Sequence, residues 1–415
     1  MLARFIYFRS FTLLAVLAAA LLAPALIAYG TASAQVSTAN IITVNTTADN
    51  ATANGNCTLR EAIQAADSNA AVDRCRAGSA TGVDTILFAK GVTGKIVLNS
   101  LLPSLTDNRG LIIDGGTNAI TISGNKKTAI LLLFPNSQLT LRNLTLADGR
   151  SPQGSAVTNG IGSSLEVVNS TFTGNIATSV GGGAIVNGGL LTVTNSTFSA
   201  NSAPNASGGG ILNSNTLNVT NSTFSRNSAP QGQGGAIDNN SNNTVMSVVN
   251  STFAGNSANL GGGGISNLGQ IFLTNDTFSG NSADPNNGGA IGNFGTPSRA
   301  KLLNTIVANS PSGGNCHGTI TDSGFNISSD RTCRFIQPTS KNNTNPKLAA
   351  SLANNGGPTQ TIALLKGSPA LNAIPKGQSR CAPARPPVAT DQRGIKRPQG
   401  KGCDIGAYEK VVAKK

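Results

Sequence analysis

The sequence is poor in charge, aromatic rings and histidine. Only 11% of its 415 residues are Asp, Glu, Lys or Arg, against ~25% in an ordinary soluble domain. Charge this sparse does not suit a coiled coil, a nucleic-acid-coating protein or a charge-driven disordered tail. There is no Trp, and the aromatic content is 4%. No basic-plus-aromatic module is present, so no nucleic-acid partner is expected. A single histidine, His317, leaves no pair for a His-based metal site or proton relay, and neither metal nor cofactor is expected. What the chain has instead is 49 Gly and 47 Asn. With 39% apolar residues, that composition suits many short strands and turns rather than helices.

Residues 1–34 read as an export signal. Arg4 and Arg9 supply the positive start, an apolar stretch runs from Phe11 to Ala28, and Ala32-Ser33-Ala34 is a small-residue cleavage site. No second apolar span follows, so no membrane span is expected after cleavage. Export makes the six cysteines, Cys57, Cys75, Cys316, Cys333, Cys381 and Cys403, candidates for structural disulfides. Six cysteines allow 15 connectivities. Their grouping into three local couples favours Cys57–Cys75, Cys316–Cys333 and Cys381–Cys403. None lies in a CxxC pair, which argues against a metal or redox role.

The centre of the chain is periodic. A Gly-rich element ends in Val157, Ile185, Ile211, Ile237, Ile265 and Ile291, at spacings of 28, 26, 26, 28 and 26. Two residues after each stands an asparagine: Asn159, Asn187, Asn213, Asn239, Asn267 and Asn293. A second element, NSTF or close to it, places Phe172, Phe198, Phe224, Phe253 and Phe278. Three residues later come Asn175, Asn201, Asn227, Asn256 and Asn281. A period in this range means a solenoid. Each period holds three short alternating runs, such as AIVN, LLTVTN and STFSAN, and none has helical length or spacing. The prediction is an all-β, right-handed parallel β-helix of the pectin-lyase-like kind, with one coil per period.

Stacking explains these residues. Coils lie about 4.8 Å apart, so residues at one phase form a row. The Phe and Ile rows face inward, the Asn rows form amide ladders, and Gly serves the bends. NST recurs at Asn169, Asn195, Asn221 and Asn250, formally N-glycosylation acceptors. Because the repeat itself generates them, they read as repeat structure.

Both ends of an open solenoid need caps. CTLREAIQAAD (57–67) reads as a helix, with a capping box at Thr58 and Glu61 and Leu59, Ile63 and Ala66 on one face. Residues 151–310 hold 3 basic and 4 acidic residues, whereas 311–415 hold 15 and 5. The domain reading is therefore an N-terminal cap over 35–83, the β-helix over 84–312, and a basic, disulfide-tied C-terminal cap over 313–415.

CTLREAIQAAD resembles the CSLREA domain near the start of many secreted bacterial β-helix proteins. The GGAI and FxxN elements resemble the repeats of polymorphic outer-membrane proteins. LANNGGPTQTIALLKGSPAL (352–371), DQRG (391–394), RP (397–398) and CDIGAYE (403–409) resemble the choice-of-anchor Q domain. In that group a surface-sorting anchor often follows CDIGAYE. Here Lys-Val-Val-Ala-Lys-Lys follows, which favours release from the cell. The resemblance implies a β-helix at the cell surface or outside a bacterium, more firmly than it implies an activity.

Catalytic constellations are searched for on the repeats. Glycoside hydrolysis needs two facing carboxyls, and a lyase needs a base with charge neutralisation. Glu166, Asp238, Asp276 and Asp284 are not spaced by one period. Asp238 and Asp276 read as isolated surface substitutions, and Arg226 stands alone at its phase. Arg299 and Lys301 read as solvated turn residues. Asp107, Asp114, Lys126 and Lys127 are near enough in sequence to approach one another. His317 reads as structural or exposed, and Asp391 with Arg393 as a local ion pair or turn. No catalytic residues are assigned. The expectation is an exported, non-catalytic β-helix acting in adhesion or polysaccharide interaction, whose basic end could meet an anionic polymer. A pectin-lyase-like lyase or glycoside hydrolase, and a structural stalk without a specific ligand, are the alternatives.

Overall fold

The computed structural model describes residues 40–295, 299–382 and 388–411. The export signal expected over 1–34 lies outside the described residues. Each period forms one coil of three strands, and each strand pairs in parallel with its copies in adjacent coils. The coils build a parallel β-helix with sheets of eleven, ten and eight strands. In one period, Ile185–Asn187 joins the eight-stranded sheet, Leu190–Thr194 the eleven-stranded sheet and Thr197–Ser199 the ten-stranded sheet. The sequence repeat sets the register, which pairs Ile185 with Ile211, Leu191 with Leu217 and Phe198 with Phe224.

The interior consists of rows. Phe172, Phe198, Phe224, Phe253 and Phe278 are fully buried. Their rings stack with centroids 4.6–4.9 Å apart. Burial of each contributes roughly 1.5–3 kcal/mol. Asparagine rows sit beside them and pair their amides from coil to coil. From Asn159 through Asn187, Asn213, Asn239 and Asn267 to Asn293, each Nδ2 donates to the next Oδ1 at 2.7 Å. A second row runs from Asn175 to Asn281 at 2.9 Å per link. Each amide of this second row also donates to the carbonyl of an earlier coil, as Asn201 does to Phe172 O at 3.0 Å. Within each row an amide donates to the next coil and accepts from the one before, as buried polar groups require; the first oxygen of the first row, Asn159 Oδ1, has no partner among the described residues. The NST asparagines have a different task. Asn169, Asn195, Asn221 and Asn250 take φ of 48–52°, the left-handed conformation that Asn tolerates best after Gly.

At the start of the shaft the helix spans Leu59–Ser68 and is closed by the Thr58/Glu61 capping box. Leu59, Ala62, Ile63, Ala65 and Ala66 are buried, and Cys57 is bonded to Cys75. The shaft extends beyond 84–312 at both ends. Asn40–Val44 already pairs with Asp84–Phe88, and Ile320–Asp322 and Ile327–Ser328 still pair at the other end. Cap and shaft share strands because a β-helix end has unpaired edges that local chain can satisfy.

The C-terminal region departs from the expected end cap. Residues 344–382 and 388–411 turn back along the outer face of the ten-stranded sheet. Gln392, fully buried, donates to Thr223 Oγ1 at 2.8 Å and accepts from Thr252 Oγ1 at 2.6 Å. Ala407 N donates to Thr277 Oγ1 at 3.0 Å, and Asn250 Nδ2 to Thr390 O at 2.9 Å. These threonines occupy one outward column with Thr171 and Thr197. Thr223, Thr252 and Thr277 are buried, whereas Thr171 and Thr197 stay half-exposed. A column of hydroxyls flanked by small residues lets the strap lie close and hydrogen-bond the three consecutive coils of Thr223, Thr252 and Thr277.

The strap has its own interior. DQRG, RP and CDIGAYE meet in a buried polar node beside the Cys381–Cys403 bond. Arg397 Nη1 lies 3.0 Å from Glu409 Oε2, and Arg393 Nη2 lies 2.7 Å from Asp391 Oδ2. The Arg393 guanidinium covers the Tyr408 ring at 3.7 Å. Desolvation pushes the Glu409 and Asp404 carboxyls upward and the Arg397 guanidinium downward, opposed by their mutual attraction.

Candidate binding surface

The outer face of the eleven-stranded sheet carries the most regular exposed chemistry. Its strands alternate, so residues between the buried aliphatics project outward. One outward column runs Thr140, Glu166, Thr192, Asn218, Ser247, Phe272 and Lys301, one residue per coil. Six steps of about 4.8 Å make this stripe roughly 29 Å long. Its Thr140–Thr192 end forms part of a groove of about 350 Å³ walled by Arg109 and Gln138. At the other end Lys301 Nζ lies 5.6 Å from the Phe272 ring centroid. Hydroxyls, an amide and an aromatic face in line suit an extended sugar polymer better than a compact ligand.

The charges beside the groove are committed to local partners. Glu166 accepts from Thr140 Oγ1 at 3.1 Å and lies 3.8 Å from Arg142. Asp107 holds Arg109 through Nε at 2.8 Å. That hydrogen bond, first among several causes, raises the half-buried Arg109 guanidinium. Among the described residues Glu166 is the one carboxylate lining this groove. Two facing carboxyls, the requirement for glycoside hydrolysis, do not meet there.

Other candidates fall elsewhere. Asp238 and Asp276 are buried, not on the surface: 4% and 0% of each is exposed. Asp238 is in register with Leu212 and Ser266, but loops after the FxxN element cover that column. Gln233 in one such loop receives a hydrogen bond from Ser266 Oγ at 3.0 Å. Burial raises the Asp238 carboxyl to about 7, opposed by hydrogen bonds to Ser266 and Ser207. Its Oδ1 has no hydrogen-bond partner. Asp276 takes the place of the repeat serine and accepts from Ser251 N at 2.8 Å and Thr274 N at 2.9 Å. Burial pushes its carboxyl up despite those bonds.

Lys301 is not in a turn: it projects from the strand Ala300–Leu303, because the outward phase of that strand is solvated. Arg299 donates to Asn242 O. Asp107, Asp114, Lys126 and Lys127 do not assemble into a site. Asp107 binds Arg109, while Asp114 accepts from Asn143 Nδ2 at 2.8 Å. Both lysines are exposed in the turn after Ser123. Asp284 and Arg226 are exposed singly. Asp391 and Arg393 belong to the strap node. Cys316 is bonded to Cys333, and the neighbouring His317 is half-buried.

Among the described residues no group of three His, Cys, Asp or Glu could hold a metal, and no helix is long and apolar enough to cross a membrane. Sequence reasoning missed the outward stripe. The alternation of LLTVTN held the signal, since the residues between the inward aliphatics must share one face.

The Chlamydia polymorphic membrane protein (Chlamydia_PMP) repeat matches residues 221–240. This span runs from the NSTF element at Asn221 to the ladder residue Asn239, about one coil. The repeat thus has a known counterpart, in accord with the solenoid. No curated protein and no solved structure matches the chain.

Proposed function

We propose that this is an exported, surface-associated β-helix that binds extended polysaccharide without cleaving it, as an adhesive or cell-surface element. The observation that carries the reading is the outward stripe from Thr140 to Lys301: polar and aromatic groups at coil spacing, with its one carboxylate paired to Arg142. The polymorphic membrane protein repeat supports a surface location. In this reading the N-terminal helix is a CSLREA-like cap and the strap a choice-of-anchor-Q-like element. Incubation of the mature protein with neutral and acidic polysaccharides, following retention and chain cleavage together, tests the proposal. Retention with no new reducing or unsaturated ends is expected. New ends would establish the lyase or hydrolase instead, and absence of retention would leave the stalk.

A further inference from the structure

The far end of the shaft carries a second site, unrelated to the stripe. Cys316–His317 is the last strand of the eight-stranded sheet, and Ile320–Asp322 the last of the eleven-stranded sheet. The loop after Asp330 folds across these edges and is tied to them by Cys316–Cys333. Between loop and edges lies a groove of about 530 Å³, within the ~300–1,000 Å³ range of small-molecule sites.

The lining is amphipathic and carries uncompensated positive charge. Arg334 is exposed, with neither a hydrogen bond nor an ion pair among the described residues, and its backbone stands at φ 51°. The His317 imidazole borders the same space and is backed by the Phe294 ring at 5.1 Å. Among the described residues no carboxylate lines the groove. The two nearby aspartates are occupied elsewhere. Asp322 accepts from Ile336 N at 2.9 Å and Gln337 N at 2.7 Å. Asp330 accepts from Asn315 N at 2.8 Å and Thr332 Oγ1 at 2.7 Å. Asn286 adds an amide on one wall, and Ile336, 83% exposed, adds an apolar surface on another.

We infer that this end groove binds a carboxylated sugar residue. The planar Arg334 fork matches a carboxylate in a bidentate manner that a point charge does not. Asn286 and His317 offer hydrogen bonds to ring hydroxyls, and Ile336 covers an apolar face of the ring. A bare anion would gain nothing from Ile336, and a neutral sugar would leave Arg334 unused. The site is a holding site: it has no second acid or base for bond cleavage.

The chain's single histidine makes the test direct, because one imidazole resonance reports on the groove. The full mature protein is titrated with D-glucuronate, N-acetylneuraminate, D-glucose and acetate, following the His317 Hε1 proton by NMR. A saturable shift with one or both acidic sugars, at concentrations where glucose and acetate produce none, is expected. Arg334→Gln should weaken that binding at least tenfold, with the melting temperature unchanged because Arg334 has no internal partner. Asn286→Ala, which keeps the charge, should weaken it less. Equal shifts with acetate and the acidic sugars would overturn the inference by reducing the site to non-specific anion attraction. No shift with either acidic sugar, or full binding by Arg334→Gln, would also overturn it. None of these outcomes bears on polysaccharide retention by the stripe, which Arg334→Gln leaves intact.

Discussion

Gln392 Oε1 accepts a hydrogen bond of 2.6 Å from Thr252 Oγ1, joining residues 140 apart in sequence. The same amide donates to Thr223 Oγ1 at 2.8 Å and Thr359 Oγ1 at 2.9 Å. One buried carboxamide thus fastens the strap to two consecutive coils. Gln392→Leu should destabilise the protein by roughly 2–4 kcal/mol, because buried hydroxyls lose their partners while the volume is kept. Equilibrium denaturation measures the loss, and proteolysis should begin between residues 344 and 411. A variant as stable as the parent would mean that the strap is held by apolar packing alone.

Asp238 makes stability fall as pH rises. Its folded-state carboxyl is raised from 3.8 to about 7, so between those values the folded protein keeps a proton that the unfolded chain has released. The contribution is favourable below about pH 4 and is lost through about pH 7, by on the order of 4 kcal/mol. Asp238→Leu, matching Leu212 in the preceding coil, should remove this part of the slope and stabilise the protein at neutral pH. Urea denaturation at several pH values checks both statements, and an unchanged slope would refute them.

Glu409→Gln should be more harmful than removing the whole pair. Arg397 and Glu409 are each 1% exposed in their side chains and lie 3.0 Å apart. Glu409 also accepts from Gln399 N and Asp404 N. Breaking one partner leaves a buried guanidinium without its counterion, a cost of about 3–5 kcal/mol. The double variant Arg397→Met, Glu409→Gln should recover part of it. A double-mutant cycle read by denaturation decides the coupling.

Phe272→Ala should lower polysaccharide retention about tenfold while leaving the fold intact. Phe272 projects outward in the stripe, half-buried beside Lys301, so its loss removes a stacking face rather than a core residue. Glu166→Gln should bind as the parent does, since Glu166 serves Thr140 and Arg142 rather than a reacting bond. Affinity electrophoresis in polysaccharide gels separates these outcomes.

The repeat made the shaft legible. Phe198 and Phe224 stand 26 residues apart in sequence and 4.8 Å apart in space. The Asn187–Asn213 link follows from the same period. The NST asparagines, legible as repeat structure in the sequence, recur because a left-handed turn recurs. The candidate sites were less legible. Asp238 sits at an outward phase, yet its burial depends on loops whose course no periodicity encodes. Arg334 and His317 meet at one groove because a disulfide and an edge strand place them there.

A one-dimensional repeat determines its own nearest neighbours, because each coil contacts the next at constant offset. The sequence by itself therefore determined the coil, its inward rows and its ladders. The tertiary structure decided what lies across the coils: the strap on Thr223 and Thr252, the cover over Asp238 and the groove at His317. Those contacts join segments with no common period, and they form only where a folded shaft presents a surface for the returning chain.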